Sequence, residues 1–295
     1  MSELRMDRRP ELERPVLVSA FRGWNDGGQG ASLAGGFLAR AWNAEKFAEI
    51  DPESFYDFQS TRPHVSLVDG LTRQIDWPEN AFFHARADAS GRDVVLLLGI
   101  EPNLRWRTFC TLVSDLATEL KVEMVVTLGS LLADVPHTRP APVTGSASDA
   151  GLVEQLGLQA SRYEGPTGIV GVLHDACRAA GLPSASLWAA VPHYVSLTPS
   201  PRAAKALCDR LADLLELEVD TSELDEAGEA YTQQVSEAVA ADSDTAAYVD
   251  ELERRVDAIE EATELPSGDA IAAELTRFLR ERDEEDDGGD VAREQ

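Results

Sequence analysis

The sequence is poor in lysine, in cysteine and in long apolar runs. Lys46, Lys121 and Lys205 are its only lysines among 295 residues. A phosphate loop of the GxxxxGK[ST] type needs a lysine beside its glycines, and no glycine-rich turn here has one. Cys110, Cys177 and Cys208 are few and far apart, so they offer neither a disulfide framework nor a CxxC metal pair. They are expected to be small buried apolar residues. No apolar run reaches the roughly 18 residues of a membrane helix. The first residues, MSELRMDRRPELERP, lack the apolar segment of a secretory leader, and the expectation is a cytoplasmic protein. Positive charge is also scarce, at 26 Lys and Arg against 53 Asp and Glu, for a net charge of -27. The imbalance is local. Residues 1–210 carry 25 acidic against 20 basic residues, and residues 211–295 carry 28 against 6. Such a surface repels nucleic acid and anionic membranes. It leaves a basic protein partner, or solubility alone, as its meaning.

What is present alternates. Apolar runs at 15–20, 46–51, 93–100, 123–132 and 184–195 read as strands, and VSLVDGLTRQIDWP reads as a hairpin about Asp69-Gly70. Helical spacing covers 27–42, 104–120, 149–157, 167–181 and 201–217. Strands alternating with helices imply an α/β/α sandwich with a mostly parallel sheet. Beyond about residue 218 strand signals stop. Ser222 with Asp225 suits a capping box. Apolar stripes Tyr248, Leu252, Val256, Ile259 and then Ile271, Leu275, Phe278, Leu279 lie in acidic helices that break at Pro266. The expected organisation is a core at 14–217, an acidic helical extension at 218–282 and a disordered tail at 283–295.

The unusual polar residues follow the ends of strands. In an open parallel sheet those ends share one edge, where ligands bind. Asn25, Asp26, Glu101, Asn103, Arg105, His137, Arg139 and His193 are therefore expected at one crevice, provided that their strands run parallel. Glu164, ahead of a helix expected near Thr167, joins them as a cap, a loop anchor or a ligand. In SAFRGWNDGGQGAS, Gly23, Gly27, Gly28 and Gly30 do not form GxGxxG, and Asp26 would repel a phosphate at a helix N-terminus. The turn reads better as a helix start capped by Asp26, forming a crevice wall near a subunit contact. Asn103 could cap the helix after it, and Glu101 could pair with Arg105 or Arg139. His137 and His193 with Asp26, Asp134 or Glu164 would be a zinc site or an acid–base pair, but no HExxH is present. Ser130 in LGSLL lacks the GxSxG elbow. No metal and no cofactor is expected.

Together AFRGWNDGGQGAS, DPESFYDFQSTRP, GIEPNLRWRTF, LGSLLADVPHTRPAPVTGSASD, SRYEGPTGIVGVL and SLWAAVPHYVSLTPSPRAAKAL resemble the proteasome assembly chaperone 2 family, in its actinobacterial branch, over residues 14–215. The resemblance implies a core of the phosphorylase/hydrolase-like α/β/α fold with a mixed sheet, and self-association as a homo-oligomer, a trimer in this branch. It implies a proteasome-related protein partner, which relatives reach through a C-terminal hydrophobic–Tyr–any-residue tail. Val291 to Gln295 do not carry that pattern, so docking by that route is not expected. The family supplies no catalytic residues to carry over. Two readings follow. One is a non-catalytic oligomeric assembly factor or scaffold, favoured by the lack of a complete catalytic motif. The other is an enzyme or small-ligand binder of the same fold, with Arg105 and Arg139 selecting an anionic small molecule.

Overall fold

The computed structural model describes residues 3–87, 91–147, 150–158 and 163–264. Strand β1 (Leu4–Met6) and strand β2 (Val16–Arg22) come first. A one-turn 3-10 segment, Gly27–Gln29, leads into helix α1 (Gly30–Ala41). Then follow β3 (Glu45–Ile50), β4 (His64–Val68), β5 (Thr72–Asp76), β6 (Asn80–Ala87) and β7 (Arg92–Ile100). After α2 (Trp106–Glu119) come β8 (Met124–Ala133), β9 (Val143–Ala147), α3 (Ala150–Gln155), α4 (Ile169–Ala179) and β10 (Ser184–Pro192). Helices α5 (Pro201–Leu215), α6 (Ser222–Ala240) and α7 (Ser243–Glu264) complete the described chain.

One eight-stranded sheet has the order β1-β3-β6-β7-β2-β8-β10-β9. Only its centre is parallel, where β7, β2, β8 and β10 pair in the same direction. The pairs β1–β3, β3–β6, β6–β7 and β10–β9 are antiparallel. The mostly parallel sheet expected from alternation is thus corrected to a mixed one, as the family resemblance implied. The central strands are apolar on both faces because helices cover both. Val18, Ala20, Leu96, Val126 and Leu187 face α1 and α5, with Ala34, Leu38, Leu207 and Leu211 opposite them. Leu17, Phe21, Val95, Leu97 and Val125 face α2 and α4, with Phe109, Val113, Leu116 and Leu173. All three cysteines are free and buried. Desolvation pushes the thiols of Cys110 and Cys208 up to about 12 and that of Cys177 to about 11, so they stay protonated and unreactive.

Three strands had no expectation behind them: β1, β6 and β9. The chain divides into compact units at Ala246–Ala247, so β1 and α6 belong to the unit that holds the sheet. The second unit is described as the continuation of α7 to Glu264, which carries the first apolar stripe from Tyr248 to Ile259. The second stripe and the expected tail at 283–295 lie outside the described residues. The capping box at Ser222 does not form. Thr221 precedes the helix without a side-chain cap, and its hydroxyl donates to Asp209 instead. No described helix is long and apolar enough to cross a membrane.

Candidate functional site

The parallel centre brings the C-terminal ends of β2, β7, β8 and β10 to one edge. There the chain turns sharply after β2, and a carboxylate from the next strand fills the turn. Glu101, immediately after β7, accepts from the Trp24 backbone N–H at 3.1 Å through Oε2. Its Oε1 accepts from the Asn25 side-chain amide at 3.2 Å and from the Ile169 N–H at 2.8 Å. The last bond caps α4, whose own N-cap residue, Gly168, has no side chain to do so. Two glycines make room for this. A Cβ on Gly168 would stand 2.3 Å from Asn25 Nδ2 and 2.7 Å from Glu101 Oε1. One on Gly23, where φ is +148°, would stand 2.7 Å from Glu101 Cβ.

Asp26, beside this node, caps α1. Its Oδ1 accepts from the Ala31 N–H at 2.9 Å, the Ser32 N–H at 3.2 Å and the Ser130 hydroxyl at 3.2 Å. Two amides of the first turn of α1, those of Ala31 and Ser32, are thus occupied by Asp26, so the turn after β2 is a capped helix start. The Ser130 N–H also donates to the Asn25 carbonyl at 2.9 Å, which ties this turn to β8.

The remaining expected residues have partners elsewhere. His137 is buried; its backbone N–H donates to the Tyr194 hydroxyl at 2.9 Å, its Nδ1 lies 2.9 Å from the same oxygen and its Nε2 lies 2.9 Å from Ser236 Oγ on α6. The Arg139 carbonyl accepts from Arg202 Nη2 of α5 at 2.8 Å, so the loop after β8 is fastened to two helices. His193 Nε2 lies 3.1 Å from Asp134 Oδ1, and both side chains are largely exposed. Asn103 Oδ1 accepts from the Asp57 N–H at 3.1 Å and the Thr61 hydroxyl at 3.0 Å. It pins the loop after β3 rather than capping α2, which starts three residues later. Arg105 adopts a left-handed backbone at the start of α2, pairs with Glu3 and lies over the Phe55 ring at 5.5 Å. Its ion-pair partner is Glu3 and not Glu101. Glu164 is exposed in the loop before α4, and the capping it was expected to offer comes from Glu101. Glu101, Asn25 and Asp26 therefore share one node, His137 and Arg139 share a second region, and Asn103 and Arg105 a third.

Among the described residues, no group of three His, Cys, Asp or Glu side chains could hold a metal. His174 of α4, which nothing local marks, packs over β8 and β10. Its Nε2 lies 3.0 Å from Thr127 Oγ1 and its Nδ1 2.9 Å from Ser184 Oγ. Desolvation brings its pKa down to about 4.

A cavity of about 710 Å³ opens at the same edge on the α1 side of the sheet. Arg22 at the end of β2, the segment from Ser60 to His64, and Asp76 to Glu79 at the exit of β5 surround it. Leu33, Phe83 and Leu98 form its apolar wall. Arg22, Arg62 and His64 were not among the expected site residues. Arg22 does stand at a strand end, which is the signal that could have found it.

A protein-family model, the PAC2 family, matches residues 20–239. Among solved structures, a proteasome-assembly chaperone homologue from Mycobacterium tuberculosis is 50% identical, with 79% of this chain and 99% of that one covered, at a TM-score of 0.73. A PAC2 family protein from Streptomyces avermitilis is 48% identical, with 80% and 99% covered, also at 0.73. An archaeal proteasome activator from Pyrococcus furiosus is 19% identical, with 80% and 97% covered, at 0.64, which is a likeness of fold alone. No curated protein matches this chain.

Proposed function

This chain belongs to the PAC2 family, and from that premise we propose that it is a non-catalytic, homo-oligomeric assembly factor acting on a multisubunit protein partner of the proteasome type. The β4–β5 hairpin carries the reading. Every residue of its two strands is exposed. The strand period places Val65, Leu67 and Ile75 on one face, at 63%, 63% and 55% exposure. A lone two-stranded hairpin is marginal in water, and a contiguous exposed apolar surface marks a protein contact. Two features support the same reading. The Glu101 carboxylate, Asp26 Oδ1 and the His137 ring hold loops and helix starts. The Mycobacterium tuberculosis relative, half identical in sequence, is named a proteasome-assembly chaperone homologue. The trimer implied by the family resemblance and the cytoplasmic setting expected from the sequence are part of the proposal.

The test is the mass of the full chain by light scattering after size exclusion, beside the triple variant Val65→Ser, Leu67→Ser, Ile75→Ser. The wild type is expected to run as a trimer. The variant is expected to run as a monomer that still melts cooperatively, with a midpoint lowered only by the loss of the stabilisation that oligomerisation supplies, since the three side chains are exposed within the single chain. Reconstitution of 20S particles from separate α and β subunits should be faster with the wild type than with the variant. A monomeric wild type that leaves the assembly rate unchanged refutes the proposal.

A further inference from the structure

We propose that the cavity on the α1 side of the sheet is a binding site for a small organic anion, one oxyanion group carried on an apolar body. This inference does not rest on the assembly role. The cavity's volume, about 710 Å³, lies in the range of small-molecule sites, roughly 300–1,000 Å³. Its wall and its rim differ in chemistry. Leu33 from α1, Phe83 from β6 and Leu98 from β7 supply a partly buried apolar wall. Arg22, the last residue of β2, and Arg62, two residues ahead of β4, are exposed and also line the cavity.

The charges of the rim are not equivalent. Glu79 forms an ion pair with Lys46. Asp76 accepts from the Ser66 hydroxyl at 3.0 Å and from the Gln74 amide at 3.1 Å, and it sits across the ladder from His64. The two carboxylates are therefore committed. Among the described residues, neither guanidinium has an ion-pair or hydrogen-bond partner. In a protein with a net charge of -27, two arginines left without a carboxylate at one cavity stand out, because acidic groups outnumber basic ones two to one. A guanidinium binds carboxylate or phosphate oxygens through paired N–H donors. The apolar wall asks for a body that leaves water, which a bare inorganic ion does not have.

Isothermal titration calorimetry with phenyl phosphate, benzoate and inorganic phosphate tests this on the full chain. Phenyl phosphate or benzoate should bind, and which one binds tells a phosphate ester from a carboxylate. Inorganic phosphate should bind at least tenfold more weakly. Arg22→Gln and Arg62→Gln should each weaken binding by about tenfold, the size of one lost charge-assisted pair. Gly36→Leu is the filling variant. A Cβ there has only Arg40 Nη1 within 4 Å, at 3.9 Å, and leucine is a better helix former than glycine, so the fold should hold while the cavity closes and binding is lost. The site is refuted if neither organic probe binds at millimolar concentration. It is equally refuted if binding survives both arginine substitutions unchanged, or if inorganic phosphate binds as well as the organic probes.

Discussion

Glu101 shows how one carboxylate can hold three segments. It caps α4, orders the turn after β2 and holds the Asn25 side chain. Glu101→Gln replaces one acceptor oxygen with a donor that faces donors. It should lower stability by about 1–3 kcal/mol, the cost of a partly buried group left unpaired. Gly168→Ala attacks the same node by placing a methyl against Asn25 and Glu101. Urea denaturation of both single variants and the double should show strong non-additivity, because all act on one network. Additive losses would mean that the bonds are independent. His174 makes a separate prediction. Its folded pKa of about 4 lies below the unfolded 6.5, so as pH falls the unfolded chain takes up a proton before the folded one does. Stability from this group is complete above pH 6.5 and is lost as pH falls toward 4. Between pH 7 and 5 the loss should be about 2 kcal/mol, and a His174→Asn variant, less stable at pH 7, should lack that part of the decline. An identical pH dependence would refute the assignment. Glu101 was noticeable in the sequence because it follows an apolar strand. Its main partner, the Ile169 N–H, is 68 residues away, whereas an arginine four residues on looked like the obvious mate.

At the scale of elements, the strongest local signals were read correctly. Asp69 and Gly70 both adopt left-handed backbone angles between β4 and β5, although the register Val68↔Thr72 makes the loop one residue longer than the two expected. Asp26 caps α1 as expected, through Ala31 and Ser32. Asp26→Ala should cost about 1–2 kcal/mol, with the Ala31 and Ser32 amides gaining most in hydrogen exchange; unchanged exchange there would count against the cap. The strands that were missed have weak signals. β9 reads VTGSA, small and polar, and pairs only along one edge of β10. β6 reads NAFFHARA, with two adjacent aromatics that blur the period of two. β1 has three residues. Their pairing comes from the open edges of the strands beside them, which supply hydrogen bonds whatever the side chains are.

For the whole molecule, charge is the feature most open to measurement. The acidic excess is concentrated beyond residue 210, and like charges at that density repel one another in any compact or oligomeric state. Raising salt shortens the screening length from about 30 Å at 0.01 M to about 8 Å at 0.15 M. The melting temperature, and with it the fraction of the proposed trimer, should rise over that range, and a fall in either would indicate that attractive ion pairs dominate. The sequence by itself determined the α/β class, the central strands, the capped turn after β2, the buried thiols and, through its motifs together, the PAC2 family. These follow from period, composition and local chemistry, which a chain carries wherever it folds. Only the tertiary structure decided the order of the strands and which of them run antiparallel, that the strand-end residues divide among three regions with their own partners, and that Arg22 and Arg62 line one cavity. Strand direction and long-range pairing depend on the order in which strands are laid side by side, and that order fixes which distant side chains come within reach of each other.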